Sequence, residues 1–114
     1  DKTMEGTKKK PVVVSLLFFS SVDQIFEYGK INFGEKKAIE YENLIYETVR
    51  QLTSGYLLNA EYPYLPTKDK RYRRAILPAH FILYRITKDR IEVLNILHQA
   101  VSITQAKKNR NIKP

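Results

Sequence analysis

The chain contains no cysteine and no tryptophan, and its 114 residues include only four glycines and one methionine. Without cysteine it can form no disulfide, and it offers neither a thiolate metal ligand nor a thiol nucleophile. A protein that needs no disulfide suits a reducing compartment, and we therefore expect it in the cytoplasm.

The sequence also lacks the short motifs of several enzyme classes. It has no P-loop, no dinucleotide fingerprint, no nucleophile elbow and no paired carboxylates at metal-ligand spacing. Its two histidines, His80 and His98, are not spaced as metal ligands, and no third ligand accompanies them. We therefore predict no cofactor and no metal site. Metal-free RNA cleavage stays open, because it needs only a general base, a general acid and cations around the scissile phosphate.

No apolar run suits a membrane span. Val12–Phe19 follows three lysines, as a secretion signal would, but it is short, rich in valine and not followed by a small-residue cleavage site. We expect no membrane partner and interpret this run as a first strand buried on both faces. Residues 1–10 are expected to be a disordered basic extension, or a remnant of an expression vector with Met4 as the natural start.

The charge is unevenly distributed. The formal net charge is +8, yet the segment 23–47 is net acidic. The positive excess therefore lies elsewhere, at Lys8–Lys10, at residues 68–74 and in the tail residues Lys107, Lys108, Arg110 and Lys113. Such clusters are either solvated surface lysines and arginines or a surface for nucleic acid or an acidic protein partner.

The first half of the chain predicts a helical hairpin. Ser21-Val-Asp-Gln24 matches a capping box, and the helix that follows is expected to stop at Gly34. A second helix from Glu35 to Gly55 carries apolar residues at helical spacing from Ala38 to Leu52. The link between the two helices is short enough only for an antiparallel pair.

The second half predicts three antiparallel strands, at Arg71–Leu77, His80–Ile86 and Ile91–Leu97, joined by tight turns. The expected fold class is α+β, with the N-terminal strand and the helical hairpin packed on a three- to four-stranded, mainly antiparallel sheet. One domain spans residues 11–101. Residues 102–114 form a basic tail that we expect to be frayed, or to become ordered only on a partner.

The candidate binding residues are cations of the predicted sheet. Arg85 interrupts an apolar strand, so its head is either solvated at the sheet surface or holds a phosphate or carboxylate. Strand alternation places Tyr84 on the opposite face, in the core. The remaining cations precede or lie in the first of the three strands: Lys68, Lys70, Arg71, Arg73 and Arg74. Because both faces of this strand carry arginine, one set is expected to be a solvated edge and the other to contact RNA or an acidic partner segment.

The order of these segments resembles the RelE/ParE superfamily of bacterial toxins from type II toxin–antitoxin (plasmid stabilisation) modules. The resemblance spans nearly all of residues 12–102. It is carried by Tyr72-Arg-Arg74, by His80-Phe-Ile-Leu-Tyr-Arg85 and by Ile91-Glu-Val-Leu-Asn-Ile-Leu-His98. Val22-Asp-Gln-Ile25, Tyr28, Phe33-Gly34 and the segment from Ala38 to Leu52 resemble the helices of the family.

This resemblance implies a growth-inhibiting toxin and a cognate antitoxin whose C-terminal segment wraps the toxin, as a toxin–antitoxin hetero-oligomer or with a toxin homodimer. It does not fix the target. ParE-like members inhibit DNA gyrase by binding, whereas RelE-like members cut mRNA on the ribosome. In a nuclease, His98, Arg85 and Arg74 would be catalytic. Gln99 stands where one nuclease branch has tyrosine, which counts against nuclease activity. The long paired helices and the strands that end in Tyr84-Arg-Ile86 and Ile96-Leu-His98 favour the ParE-like reading. A non-catalytic basic module that binds nucleic acid is the alternative from another class.

Overall fold

The computed structural model describes residues 8–114. It contains β1 (Val12–Val14), α1 (Leu16–Phe33), α2 (Glu35–Gly55), β2 (Tyr72–Ile76), β3 (His80–Ile86), β4 (Ile91–His98) and α3 (Ile103–Lys107), which continues into a 3-10 turn at Lys108–Asn111. The predicted α+β class is confirmed, with a helical hairpin on a four-stranded, mainly antiparallel sheet.

The sheet has the order β1-β4-β3-β2. β1 runs parallel to β4, with Val12 opposite Ile91, and the other pairings are antiparallel. β4 therefore lies inside the sheet, and its residues from Ile91 to Ile96 are all buried. A strand covered on both faces needs an almost continuous apolar sequence, which is what the second half of the chain provides.

Two layers cover the sheet, and we name its faces after them. On the hairpin face, Phe18 and Val22 of α1 and Ile45 and Leu52 of α2 pack against residues such as Tyr84. On the tail face, a smaller core joins the connection after α2 and the C-terminal tail to β3 and β4, through Tyr62, Leu65, Phe81, Leu83, Leu94 and Ala106. Tyr84 lies in the core, as predicted, and its hydroxyl donates to the Tyr56 carbonyl at 2.7 Å.

The predicted hairpin is present, and its turn depends on a glycine. Gly34 has a φ of 94°, a value that residues with a side chain rarely adopt. Its N–H donates to the Lys30 carbonyl at 3.2 Å and closes α1, while its own carbonyl accepts from Ala38 in the first turn of α2. One glycine thus ends the first helix and starts the second.

The prediction of one strand over Val12–Phe19 and a helix beginning at Ser21 is wrong in detail. β1 ends at Val14, and Ser15 caps α1 by accepting the Phe18 N–H at 3.0 Å. The Ser15 hydroxyl also donates to the Leu94 carbonyl at 2.6 Å, which ties the cap to β4. Ser21 lies inside α1. A short apolar run fits a strand and a buried helical turn equally well, and here the cap at Ser15 decides between them.

Both ends of the described chain are more ordered than predicted. The tail is not frayed, because α3 begins at a Ser102 cap, and Ala106 of α3 and Asn109 of the following 3-10 turn are buried on the tail face. At the other end, the prediction for residues 1–10 falls mostly on residues 1–7, which lie outside the described residues. Lys10 is held, since its ammonium donates to the Thr87 carbonyl at 2.6 Å.

Replacing the cap serine tests this description of α1. Ser15→Ala removes both the cap and the bond to Leu94 from a residue that is only 2% exposed. We expect the free energy of unfolding to fall by about 1–2 kcal/mol in urea titrations. Ser20→Ala, at an exposed position of the same helix, is the matched control, and an equal loss there would contradict the assignment of the cap.

Candidate functional site

The three residues predicted to be catalytic in a nuclease do not share a surface. Arg74 and Arg85 lie on the tail face, next to Phe81 and Tyr72 respectively. His98 lies opposite His80, with the two rings 5.2 Å apart, and His80 contacts α2 on the hairpin face. The sheet therefore separates the histidine from both arginines.

A bulge in β4 causes this separation. The register runs from Tyr84 opposite Val93 to Leu83 opposite Asn95, so Leu94 is an extra residue. One inserted residue moves every later side chain of the strand to the other face. Without the bulge His98 would share the face of Glu92 and Arg85, but with it His98 points to the hairpin face.

Arg85 is bound by the protein itself. Its Nε donates to Glu92 at 2.7 Å, Nη1 to the Arg110 carbonyl at 2.9 Å, and Nη2 to the Ile112 carbonyl at 3.1 Å. The side chain is only 15% exposed. Burial acts to raise the pKa of Glu92, but hydrogen bonds from Arg90 and Arg85 outweigh it and hold this pKa below its ordinary value. Arg85 thus holds the tail on the sheet and has no free nitrogen for a ligand.

Two other cations of the predicted cluster also bind partners within the protein. Arg73 points to the hairpin side of the edge, where Nη1 donates to the Asn59 carbonyl at 2.9 Å and Nε to the Lys70 carbonyl at 3.0 Å. These bonds fasten the irregular connection between α2 and β2. Arg71 pairs with Asp69 at 3.1 Å on the exposed surface, where such a pair contributes little stability.

Arg74 differs from these arginines. Its guanidinium lies 5.3 Å from the ring centre of Tyr62 and 5.4 Å from that of Phe81, so two aromatic faces hold it in place. Among the described residues no carboxylate or carbonyl accepts a hydrogen bond from it. Lys68 and Lys70 are exposed nearby in sequence. Of the predicted binding arginines, Arg74 is the one whose guanidinium makes no hydrogen bond to the described part of the chain, so all of its donors remain available to a ligand.

The histidines line a separate groove on the hairpin face. The Tyr41 hydroxyl and His80 Nδ1 are 2.8 Å apart, and the same hydroxyl accepts the Ala79 N–H at 3.2 Å. Burial, and to a smaller extent His98, lower the pKa of His80 below its ordinary value, while burial raises the pKa of Tyr41. At neutral pH the pair is therefore an uncharged hydrogen-bonded couple.

The groove has a volume of about 850 Å³ and lies between the half of the helical hairpin next to its turn and the end of the sheet where β3 begins and β4 ends. Its mouth is apolar, because the aromatic side chains of Tyr28 and Phe33, which line it, are 63% and 64% exposed. Its apolar lining includes Val22, Ile25, Phe26, Ala38 and Ile96, and polar side chains lie among them: Ser21, Gln24, Lys37, Tyr41, Glu42, His80, Asn95 and His98. The surface of the groove is therefore mainly apolar, with several polar groups that could orient a ligand.

Sequence reasoning missed several residues that shape these surfaces. Asn95, at the bulge, accepts the Ser21 hydroxyl at 2.7 Å and donates to Asn109 of the tail at 2.8 Å. Glu92 binds Arg85, and Tyr41 positions His80. Of these residues, only Glu92 could have been identified from the sequence, because a hairpin turn at residues 87–90 places it opposite Arg85.

The described residues, 8–114, contain no group of three or more His, Asp or Glu side chains that could hold a metal ion. None of the helices in that part of the chain is long and apolar enough to cross a membrane.

The pH dependence of stability tests the Arg85–Glu92 pair. Because the folded-state pKa of Glu92 is lowered, its contribution is present above the unfolded pKa, roughly 4.3, and is lost as pH falls through the folded value. Glu92→Gln should lower the free energy of unfolding at pH 7 by about 1–3 kcal/mol and flatten its fall in acid. Glu40→Gln, at an exposed acid of α2, is the control. An unchanged acid slope for Glu92→Gln would contradict this assignment.

The model of the family described as the ParE toxin of the type II toxin–antitoxin system parDE matches residues 12–102. A solved structure, described as the chromosomal ParDE toxin–antitoxin system from P. aeruginosa, superposes with a TM-score of 0.66 at 18% identity, over 81% of this chain and 98% of that one. That identity supports the fold alone. No curated protein sequence matches. The family match covers all four strands and the helical hairpin, and the chain therefore belongs to the ParE toxin family of type II toxin–antitoxin systems.

Proposed function

We propose that this toxin inhibits growth by binding DNA gyrase rather than by cutting RNA. The observation that carries the proposal is the separation of Arg74 and Arg85 from His98 by the sheet. A metal-free nuclease needs its acid, its base and its cations within reach of one phosphate. Here the guanidinium of Arg85 is occupied by Glu92 and by the tail. Membership of the ParE family supports the same choice.

We also propose that the toxin acts in the cytoplasm, where it would meet DNA gyrase and a cognate antitoxin. We further propose that the antitoxin neutralises the toxin in a hetero-oligomer and fills the groove of the hairpin face. The support is the apolar groove, with Tyr28 and Phe33 exposed at its mouth. Aromatic side chains in such a position are the usual anchors of protein interfaces.

Purified toxin should reduce supercoiling by gyrase while leaving mRNA on ribosomes intact. His98→Ala should inhibit growth as strongly as the unchanged protein, because binding needs no acid–base residue. A nuclease that used His98 would instead lose roughly 100-fold or more of its activity. Normal supercoiling together with ribosomal mRNA cleavage would overturn the proposal in favour of the nuclease. Salt-sensitive RNA binding without toxicity would favour the basic module instead.

The antitoxin part is tested with the product of the gene beside this one, co-expressed and titrated against the toxin. Phe33→Ser, at the mouth of the groove, should raise the dissociation constant about tenfold or more. Leu16→Ser is the matched control, because Leu16 is 86% exposed at the other end of α1 and does not line the groove. Equal effects of the two substitutions would place the antitoxin elsewhere. Light scattering of the complex gives its composition.

A further inference from the structure

The outer edge of β2 is only partly covered. The Tyr62 N–H donates to the Tyr72 carbonyl at 2.9 Å, and the Arg74 N–H donates to the Ala60 carbonyl at 3.2 Å. In an antiparallel ladder every second residue turns its backbone outward, so the next groups along this edge are the Arg74 carbonyl and both polar groups of Ile76. No hydrogen bond in the described part of the chain reaches them. Three backbone groups are therefore available to another strand.

The side chains beside this edge are arranged for a ligand on both faces of the sheet. On the tail face, Ile76 is 66% exposed, and Arg74 presents its unbonded guanidinium two residues before it. On the hairpin face, a hollow of about 280 Å³ borders the same edge, lined by Leu52, Leu58 and Ala75 among others. Leu58 is 89% exposed there. A strand laid along the edge would place alternate side chains on these two faces.

We propose that this edge of β2 binds an extended acidic segment of a partner protein, which adds a strand to the sheet. A residue opposite Ile76 exchanges both backbone hydrogen bonds with it and carries an apolar side chain. The next residue points its side chain into the hollow beside Leu58. The one after donates its N–H to the Arg74 carbonyl and carries a carboxylate that pairs with the Arg74 guanidinium.

Charge selects this occupant over a second copy of the chain. Two β2 edges paired antiparallel through the free groups would set Arg74 of one copy opposite Ile76 of the other. That register brings the two Arg74 guanidiniums to the same face, diagonally across the strand pair, with no carboxylate between them. Like charges across a strand pair are destabilising, whereas an acidic segment removes the conflict. Nucleic acid would satisfy the Arg74 guanidinium, but its backbone has no regularly spaced N–H groups for the Arg74 and Ile76 carbonyls. An acidic extended peptide satisfies both requirements.

The probe is the peptide acetyl-Ser-Val-Leu-Glu-Ser-amide, titrated into the ¹⁵N-labelled protein and followed by amide chemical shifts. We expect shifts confined to β2 and its neighbours, with a dissociation constant on the order of 1 mM for so short a ligand. The same peptide with lysine in place of glutamate should bind at least about fivefold more weakly, as should the unchanged peptide to Arg74→Gln.

N-methylation separates strand addition from simple charge attraction. Methyl groups on the valine and glutamate nitrogens remove the donors that face the edge and should abolish the shifts. A methyl group on the leucine nitrogen, which faces away, should leave binding in place. In the protein, Ile76→Pro removes the outward N–H at a position where an edge strand tolerates proline, and it should bind more weakly than Ile76→Thr.

Two outcomes would overturn the proposal outright. The first is the absence of localised shifts at about 10 mM peptide, ten times the expected dissociation constant. The second is that the peptide methylated at valine and glutamate binds as well as the unmethylated one. Arg74-dependent binding of a single-stranded RNA in place of the peptide would assign the surface to nucleic acid. Self-association that Ile76→Pro abolishes would assign it to a second copy. These readouts are independent of the proposed gyrase target, so either proposal can fail alone.

Discussion

The structure depends on the burial of β4 from both sides. Six consecutive residues of this strand, Ile91 to Ile96, are buried, so each face needs its own cover. The helical hairpin covers one face, and the folded tail, with Ala106 completely buried, helps to cover the other. Two of the six buried residues, Glu92 and Asn95, are polar and need partners inside the fold. Arg85 of β3 and Arg90 of the turn before β4 bind Glu92, while Ser21 of the helical hairpin and Asn109 of the tail bind Asn95.

Elements with strong periodicity or distinctive end signals could be predicted from the sequence. The bounds of β3 and α2 and the glycine between the helices agree with the prediction, because a run of apolar and aromatic residues, helical spacing and a glycine at a helix end each leave a local mark in the sequence. The division of Val12–Phe19 at Ser15 could not be predicted, since the hydroxyl that decides it also bonds Leu94 far along the chain. The order of the tail could not be predicted either, because it comes from contacts with Arg85 and Asn95 rather than from its own composition.

The candidate site shows the same limit more sharply. Alternation correctly places Tyr84 and Arg85 on opposite faces, and a hairpin register pairs Arg85 with Glu92. Alternation carried on to His98 fails, because the extra residue Leu94 has no local signature and reverses the face of everything after it. A motif that looks like one cluster in the sequence is thereby divided between two surfaces. The arginines then have different roles. Arg73 and Arg85 bind backbone carbonyls within the fold, whereas the guanidinium of Arg74 remains free to bind a ligand.

The parallel pairing of β1 with β4 also limits when the domain can fold during its synthesis on the ribosome. The first strand of the domain finds its partner only in the last strand, with Val12 opposite Ile91 and Val14 opposite Val93. When the helical hairpin and β2 have emerged from the ribosome, the nascent chain still lacks β4, the strand against which the hairpin and the tail both pack. Native toxin therefore forms late, after nearly the whole domain has been made. A chain cut short by interrupted translation before β4 lacks the centre of the sheet and cannot assemble the fold described here.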